Sequence, residues 1–430
     1  MSIPESKPSD GLLASGDEDA RACREISDTH CHEQPRNFAL TLAALAATKT
    51  GDEIASARLV LAWLLTAVGA PGFMLALLVP IRESGALLPQ LVIAALIRRA
   101  AVRKWFWAIG SAVQGACLFG MAAVAVSVTG ATAGWLILAL LVCFALARGV
   151  CSVAIKDVMG KTIDRGRRGS LSGWATSAAG FATLGAGLFV QMFVDAGAGA
   201  LAWLLMAAGL LWLVAAAVYA LVVEQPGATG GGANALAEAL RSVRLLIDDL
   251  HFRRFCITRA LLLSTALAFP FYAALASQHS VGLLGLMVGA GGLAGLLAAP
   301  IWGRWSDRSS RLVMVAAAVL AGVLGIATLL LDQMGWLNQG GGWLFGVIYF
   351  VIATSHHGVR IARATYLIDL GDSDNRAAYT AVSNTLIGIL LMAGSAVGLL
   401  AESLGAAGII GLMGVVSLIA AGSALRMREA

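Results

Sequence analysis

Charge is scarce in this sequence: Asp, Glu, Lys and Arg make up 13% of 430 residues, against about a quarter in ordinary soluble domains. Hydrophobic residues take 59%, so a soluble globular chain is excluded and a polytopic membrane protein is expected. Cysteine is equally sparing. Six occur, with Cys117, Cys143 and Cys151 in apolar runs, Cys256 at a helix start and Cys23 and Cys31 in the polar tail, which is no disulfide framework. Cys23, His30, Cys31 and His32 lack the closely spaced pair of a structural zinc site, so no metal and no cofactor are expected. Phosphate-binding loops, zinc-protease signatures and nucleophile elbows are also missing. ATP-driven transport and the common intramembrane hydrolases therefore have no support, and the chain is not expected to be an enzyme. No secretory signal is seen, because the first apolar run follows a polar tail.

What is present is a succession of apolar runs of bilayer-spanning length, roughly 20 residues each. They predict about twelve helices, near 57–80, 83–99, 105–128, 133–155, 170–194 and 200–222, then 255–277, 281–301, 312–332, 343–366, 377–401 and 405–425. Residues 1–56 are expected to form a cytoplasmic tail, with a short helix over Phe38 to Ala47 lying on the membrane surface because Lys49, Asp52 and Glu53 interrupt it. Residues 57–223 would form one six-helix bundle and 255–430 a second. The linker, 224–254, carries Pro226 and Gly230 to Gly232. Asn234 would cap an amphipathic helix in it.

The net charge of +5 points to topology rather than to nucleic acid, because the basic residues fall in short loops. With both termini inside a cell (inner) membrane, the cytoplasmic side holds Arg98, Arg99, Arg103, Lys104, Lys161, Arg165, Arg167, Arg168, Arg241, Arg244, Arg253, Arg254, Arg304, Arg308, Arg311, Arg376, Arg426 and Arg428. Only Arg82 would face out. An internal repeat supports the division into halves: Arg148-Gly149-Val150 and His357-Gly358-Val359 lie 209 apart (357 minus 148), as do Arg99 and Arg308, and Arg167 and Arg376.

Between two of the runs stands Gly303-x-x-x-Asp307-Arg308-x-x-Arg311. This spacing resembles the loop signature of the major facilitator superfamily of secondary transporters. The resemblance implies an all-α fold of twelve transmembrane helices in two pseudo-symmetric six-helix bundles. It also implies alternating access to a site at the midplane, a small-molecule substrate, protons as the coupling partner, a lipid bilayer around a functional monomer, and no role for nucleic acid. Gly303 would allow close helix contact, and Asp307 would face a helix N-terminus or an arginine, making a contact that forms in one state and breaks in the other. The first-half copy is degraded, with Ala94 and Arg98 at the glycine and aspartate positions.

Polar groups inside apolar runs are functional candidates because they are costly in lipid. Arg148 would bind an anionic group or a carboxylate from another helix, or anchor topology. Of His356 and His357, with Arg360 and Arg363 one and two turns on, at most one faces a cavity squarely, since neighbours point about 100° apart. An imidazole there is suited to carrying a proton; if His357 is the one, His357→Gln would flatten the pH dependence of transport. Arg82 and Glu83 are placed at an outer mouth, with Glu83 as an ion-pair partner at the outer gate or as a proton carrier. Pro71-Gly72 and Pro270 would bend the first and seventh helices, with Phe73, Phe269, Phe271 and Tyr272 as an aromatic wall. Gln90, Ser264, Thr265, Ser383, Asn384 and Thr385 would offer neutral hydrogen bonds. The expected activity is proton-coupled efflux of a small organic solute. The alternatives are uptake of a small anionic solute, or a receptor or scaffold that moves nothing.

Overall fold

A computed structural model describes residues 32–88, 93, 96–97, 99–193, 197–227, 244–279, 283–306, 308–339, 342–370 and 376–429. Among them the chain is helical and has no strand. The principal helices are α1 (Gln34–Ile54), α2 (Val60–Ala67), α3 (Leu75–Leu87), α4 (Lys104–Ser127), α5 (Gly130–Thr162), α6 (Arg165–Phe193) and α7 (Ala198–Ala220). Beyond residue 243 come α8 (Leu250–Leu261), α9 (Ser264–Leu267), α10 (Phe269–His279), α11 (Leu283–Ser306), α12 (Ser310–Gln333), α13 (Trp343–Leu370), α14 (Arg376–Gly394) and α15 (Ala401–Leu425).

Joined across their breaks, these segments trace six rods before residue 228 and six after residue 243. Among the described residues, eight stretches are long and apolar enough to cross a membrane by length and composition. Two rods are broken at equivalent places. The first consists of α1 and α2 separated by Ala55–Leu59, and the seventh of α8, α9 and α10. Four glycines with positive φ, Gly69, Gly130, Gly335 and Gly405, mark turns between rods 1 and 2, 3 and 4, 9 and 10, and 11 and 12. All four turns lie at one end of the bundle, where a left-handed backbone favours glycine. The arginine-rich loops lie at the other, the basic end.

The first rod corrects the sequence reading. The helix expected on the membrane surface is the start of α1, which packs on α6 and α7 and buries Asn37, Phe38, Thr41, Ala44 and Gly51. Asn37 makes reciprocal hydrogen bonds of 3.0 and 2.9 Å with the backbone of Val223, and a Cβ on Gly51 would lie 2.4 Å from the Trp212 ring. Pro71-Gly72 does not bend a helix over 57–80. It forms the turn from rod 1 to rod 2. The apolar-run rule failed here because it treats every charge as facing lipid, whereas Asp52 and Glu53 face the protein interior. Most of the linker helix expected after Asn234, with Leu236 to Leu250 on one face, falls in 228–243, outside the described residues; its described end is a one-turn helix, Leu245–Asp248, that breaks at Asp249, so Leu250 starts the seventh rod instead. The Cys23, His30 and Cys31 tail precedes residue 32 and also lies outside them.

Charge fastens the basic end of each half. The Glu224 carboxylate, whose side chain has no exposed surface, accepts from the N–H groups of Arg103 (2.8 Å) and Lys104 (2.6 Å) at the start of α4 and from Lys161 Nζ (2.9 Å). Lys104 Nζ in turn donates to the carbonyls of Ala220 (2.8 Å) and Val222 (2.7 Å) after α7. A helix N-terminus with an acid and a C-terminus with a base are the favourable pairings. Glu224→Ala leaves these donors buried without an acceptor and is expected to cost about 3–5 kcal/mol, read as a lower melting temperature of the purified protein; an unchanged value would contradict this account of the knot. In the second half Asp249 caps α8 through the N–H groups of His251 (2.8 Å) and Phe252 (3.1 Å) and accepts from Tyr379 Oη (2.6 Å) on α14. Burial alone would raise its pKa, but these hydrogen bonds outweigh that and hold it below the usual carboxylate range.

Candidate functional site

The two halves meet closely from the centre to the end opposite the basic loops. Ser84 Oγ donates to the Gly388 carbonyl at 2.8 Å, buried. Gly187 abuts Gly289 so tightly that a Cβ on the former would lie 2.3 Å from the latter's nitrogen. On the basic side of these contacts lies a cavity of about 200 Å³. The first half lines it with Asp52, Glu53, Arg58, Arg82, Glu83 and Arg148, and the second with His356, Arg360 and Arg363, beside Leu263, Ala266, Ile387 and Leu391.

The charges are distributed unevenly. All three carboxylates belong to the first half, and two are engaged there: Asp52 bridges Arg82 and Arg148, and Glu83 pairs with Arg58 at 3.1 Å. Arg58 also lies over the Phe269 ring of the seventh rod, 5.5 Å from its centroid, and Arg82 over Phe144 at 4.8 Å; both are cation–π geometries. In the second half, Arg360 and Arg363 pair with no carboxylate among the described residues. Five guanidiniums face three carboxylates, which gives the lining a formal charge of +2 with the imidazole neutral.

The expected site residues separate. Arg148 meets a carboxylate from another helix. His356, 7% exposed, reaches the cavity; its Nδ1 stands 3.0 Å from Thr265 Oγ1 and its ring is edge-on to Phe269. His357 points instead toward Gly295 on α11 and does not line the cavity. Arg82 and Glu83 are not at an outer mouth but at the centre of the second rod, because that rod begins at Gly72. Phe73 sits at the far end against Trp135, and Tyr272 is buried in the second half's core; neither touches the cavity. Asn384 accepts from Arg259 Nη2 at 2.9 Å, one turn toward the basic end from Ile387. Gln90 and Asp307 lie outside the described residues.

Of the loop signature, Arg311 pairs with Glu429 at 2.8 Å and donates to the Met427 carbonyl at 3.2 Å, tying the loop to the end of the last helix. Arg308 is exposed. Gly303 does not mediate close helix contact, since a Cβ there would meet nothing within 4 Å. The close approach is its neighbour's: Trp302 packs on Gly358 and donates from Nε1 to the Thr354 carbonyl at 2.9 Å.

Sequence reasoning did not select Asp52, Glu53 and Arg58. The repeat held the signal: subtracting 209 from the seventh helix, 255–277, gives 46–68, the stretch that contains all three.

No family model and no curated protein sequence matches the chain. Solved structures do. A POT family transporter in complex with 5-aminolevulinic acid aligns with 94% of this chain and 97% of its own at 11% identity, TM-score 0.67. The nucleoside transporter NupG aligns over 91% and 97% at 13% identity, TM-score 0.64. The xylose transporter XylE from E. coli, in an inward-open conformation, aligns over 92% and 97% at 13% identity, TM-score 0.64. At such identities the likeness establishes the fold, which is the two-bundle fold of the major facilitator transporters.

Proposed function

We propose that this protein is a secondary transporter that carries a small organic anion across a membrane by alternating access. The observation that carries the reading is the pair of arginines, Arg360 and Arg363, which face a cavity between the halves and form no ion pair among the described residues, although Glu83 and Glu53 lie in the same cavity. A guanidinium at membrane depth is costly unless paired, and its planar fork suits a carboxylate or phosphate. A lining of five arginines against three carboxylates favours the anionic class of solute.

With the basic loops on the cytoplasmic side, the described conformation faces inward. An inside-negative potential drives an anion outward by about 2.3 kcal/mol per charge per 100 mV, which supports efflux. Uptake would need protons to cross with the anion, and His356 is the cavity imidazole available to carry one.

Flux into sealed liposomes tests the proposal. The wild type is expected to move labelled organic anions and not their neutral amides or alcohols. Arg360→Gln is expected to lower that flux at least about 30-fold, since stranding a buried charge costs about 2–5 kcal/mol and each 1.4 kcal/mol is tenfold. Equal movement of the neutral analogues, or undiminished flux by the variant, would overturn it.

A further inference from the structure

Arg259, on α8 one turn before the cavity-lining Leu263, lies just outside the cavity lining. It is 6% exposed. Its Nη1 donates to Ser383 Oγ and its Nη2 to Asn384 Oδ1, while Nε finds no acceptor. These oxygens are neutral: they orient the guanidinium without compensating its charge. No carboxylate pairs with it among the described residues, and Arg363 stands close enough to repel it. Burying one such ion costs several kcal/mol, and placing a second beside it adds to the cost. An anion bound between the two guanidiniums would offset both costs. The layer suits one, because Arg259, Ser383 and Asn384 sit about one helical turn toward the basic end from Leu263 and Ile387, level with Arg363.

We infer that Arg259 and Arg363 form an oxyanion subsite for a doubly charged tetrahedral group, a phosphate or phosphonate. Two guanidiniums that form no ion pair among the described residues match a charge of two, and Arg259 Nε together with the remaining Nη hydrogens provides more donors than a neutral ligand can use. Ser383 and Asn384 hold the fork in place before the ligand arrives. The inference rests on the anion-transport reading only in taking the cargo, or a lipid headgroup of the same chemistry, as the occupant.

The test is binding of radiolabelled inorganic phosphate to the full-length protein, stripped of lipid in neutral detergent. One saturable site is expected, with sulfate competing and the planar monoanion nitrate failing to compete. Arg259→Gln is expected to weaken binding at least about 10-fold while leaving the ligand-free melting temperature equal or higher, because an uncompensated buried charge is removed. Arg259→Lys, which keeps the charge but not the fork, is expected to lose part of the affinity, so the conclusion does not depend on one variant folding. Displacement of phosphate by phosphatidic acid assigns the subsite to lipid headgroups, and its absence to soluble esters; both support the site. No saturable phosphate, nitrate competing as well as sulfate, or wild-type affinity in both variants would overturn it. Anion flux by the wild type alongside unaltered phosphate binding by Arg259→Gln would sink the subsite and leave the transport reading standing.

Discussion

Asp52→Asn is expected to abolish flux and to destabilise the protein by about 3 kcal/mol, the lower end for a broken buried pair, because Arg148 is 38% exposed to the cavity. Asp52 is the hinge of three rods. From α1 its carboxylate bridges Arg82 on α3 and Arg148 on α5. Asparagine keeps the shape but removes the charge, leaving two guanidiniums facing each other. Against a total stability of about 5–15 kcal/mol, this is a large loss, read as a drop in melting temperature in detergent. Adding Arg148→Gln to the same chain is expected to restore most of the stability and none of the flux, since Arg82 then retains Glu83 as an electrostatic neighbour. Such a cycle isolates the pair from either residue's other contacts. An Asp52→Asn protein as stable as the wild type would show that the bridge does not hold the half together.

The second large effect comes from a position that carries no chemistry. In Gly187→Val the new Cβ would lie 2.3 Å from Gly289 N and 2.6 Å from its Cα. Both are backbone atoms and cannot swing aside as a side chain would. The contact joins rod 5 of one half to rod 8 of the other at the end that is closed, so the described conformation is penalised and a state open at that end is not. A ligand or mutation that favours one state by several kcal/mol shifts the population about 100-fold or more. Spin labels at Trp135→Cys and Met334→Cys, exposed positions at that end of opposite halves, are expected to move apart in the variant. An unchanged distance distribution would mean that this contact does not gate access.

Much of the architecture was legible because it follows from solvent. Lipid demands apolar rods of a minimum length, and the runs that became α4, α7 and α12 satisfy that demand with charges only near their ends. The basic loops and the signature ending in Arg311 mark one end of the bundle from composition alone. The first rod was misread because hydropathy treats Lys49, Asp52, Glu53 and Arg58 as breaks. They are tolerated because they face a cavity and one another, which only the partner rods reveal. The position of Glu83 suffered from the same shift: a rod beginning at Gly72 rather than near residue 83 moves it from a rim to the centre. Between His356 and His357 the spacing says that one is favoured and not which, since the choice depends on the rotation of α13 against α9 and α11, where Thr265 engages one ring and Gly295 faces the other. Arg259 was overlooked because it reads as the last charge before an apolar run, and its burial among Ser383 and Asn384 is a tertiary fact.

The central claim is that the arginine-lined cavity is reached from one side of the membrane at a time. In a chain whose six native cysteines are replaced by serine, Ser56→Cys places a sole thiol on its wall, in the break of the first rod, and sealed vesicles allow a membrane-impermeant maleimide to be offered from either side. The account predicts labelling from the basic-loop side in the wild type, a shift toward the opposite side when Gly187→Val is added, and slowing of both by a transported anion. Equal labelling from both sides at once, as in an open pore, or none from either, would contradict it.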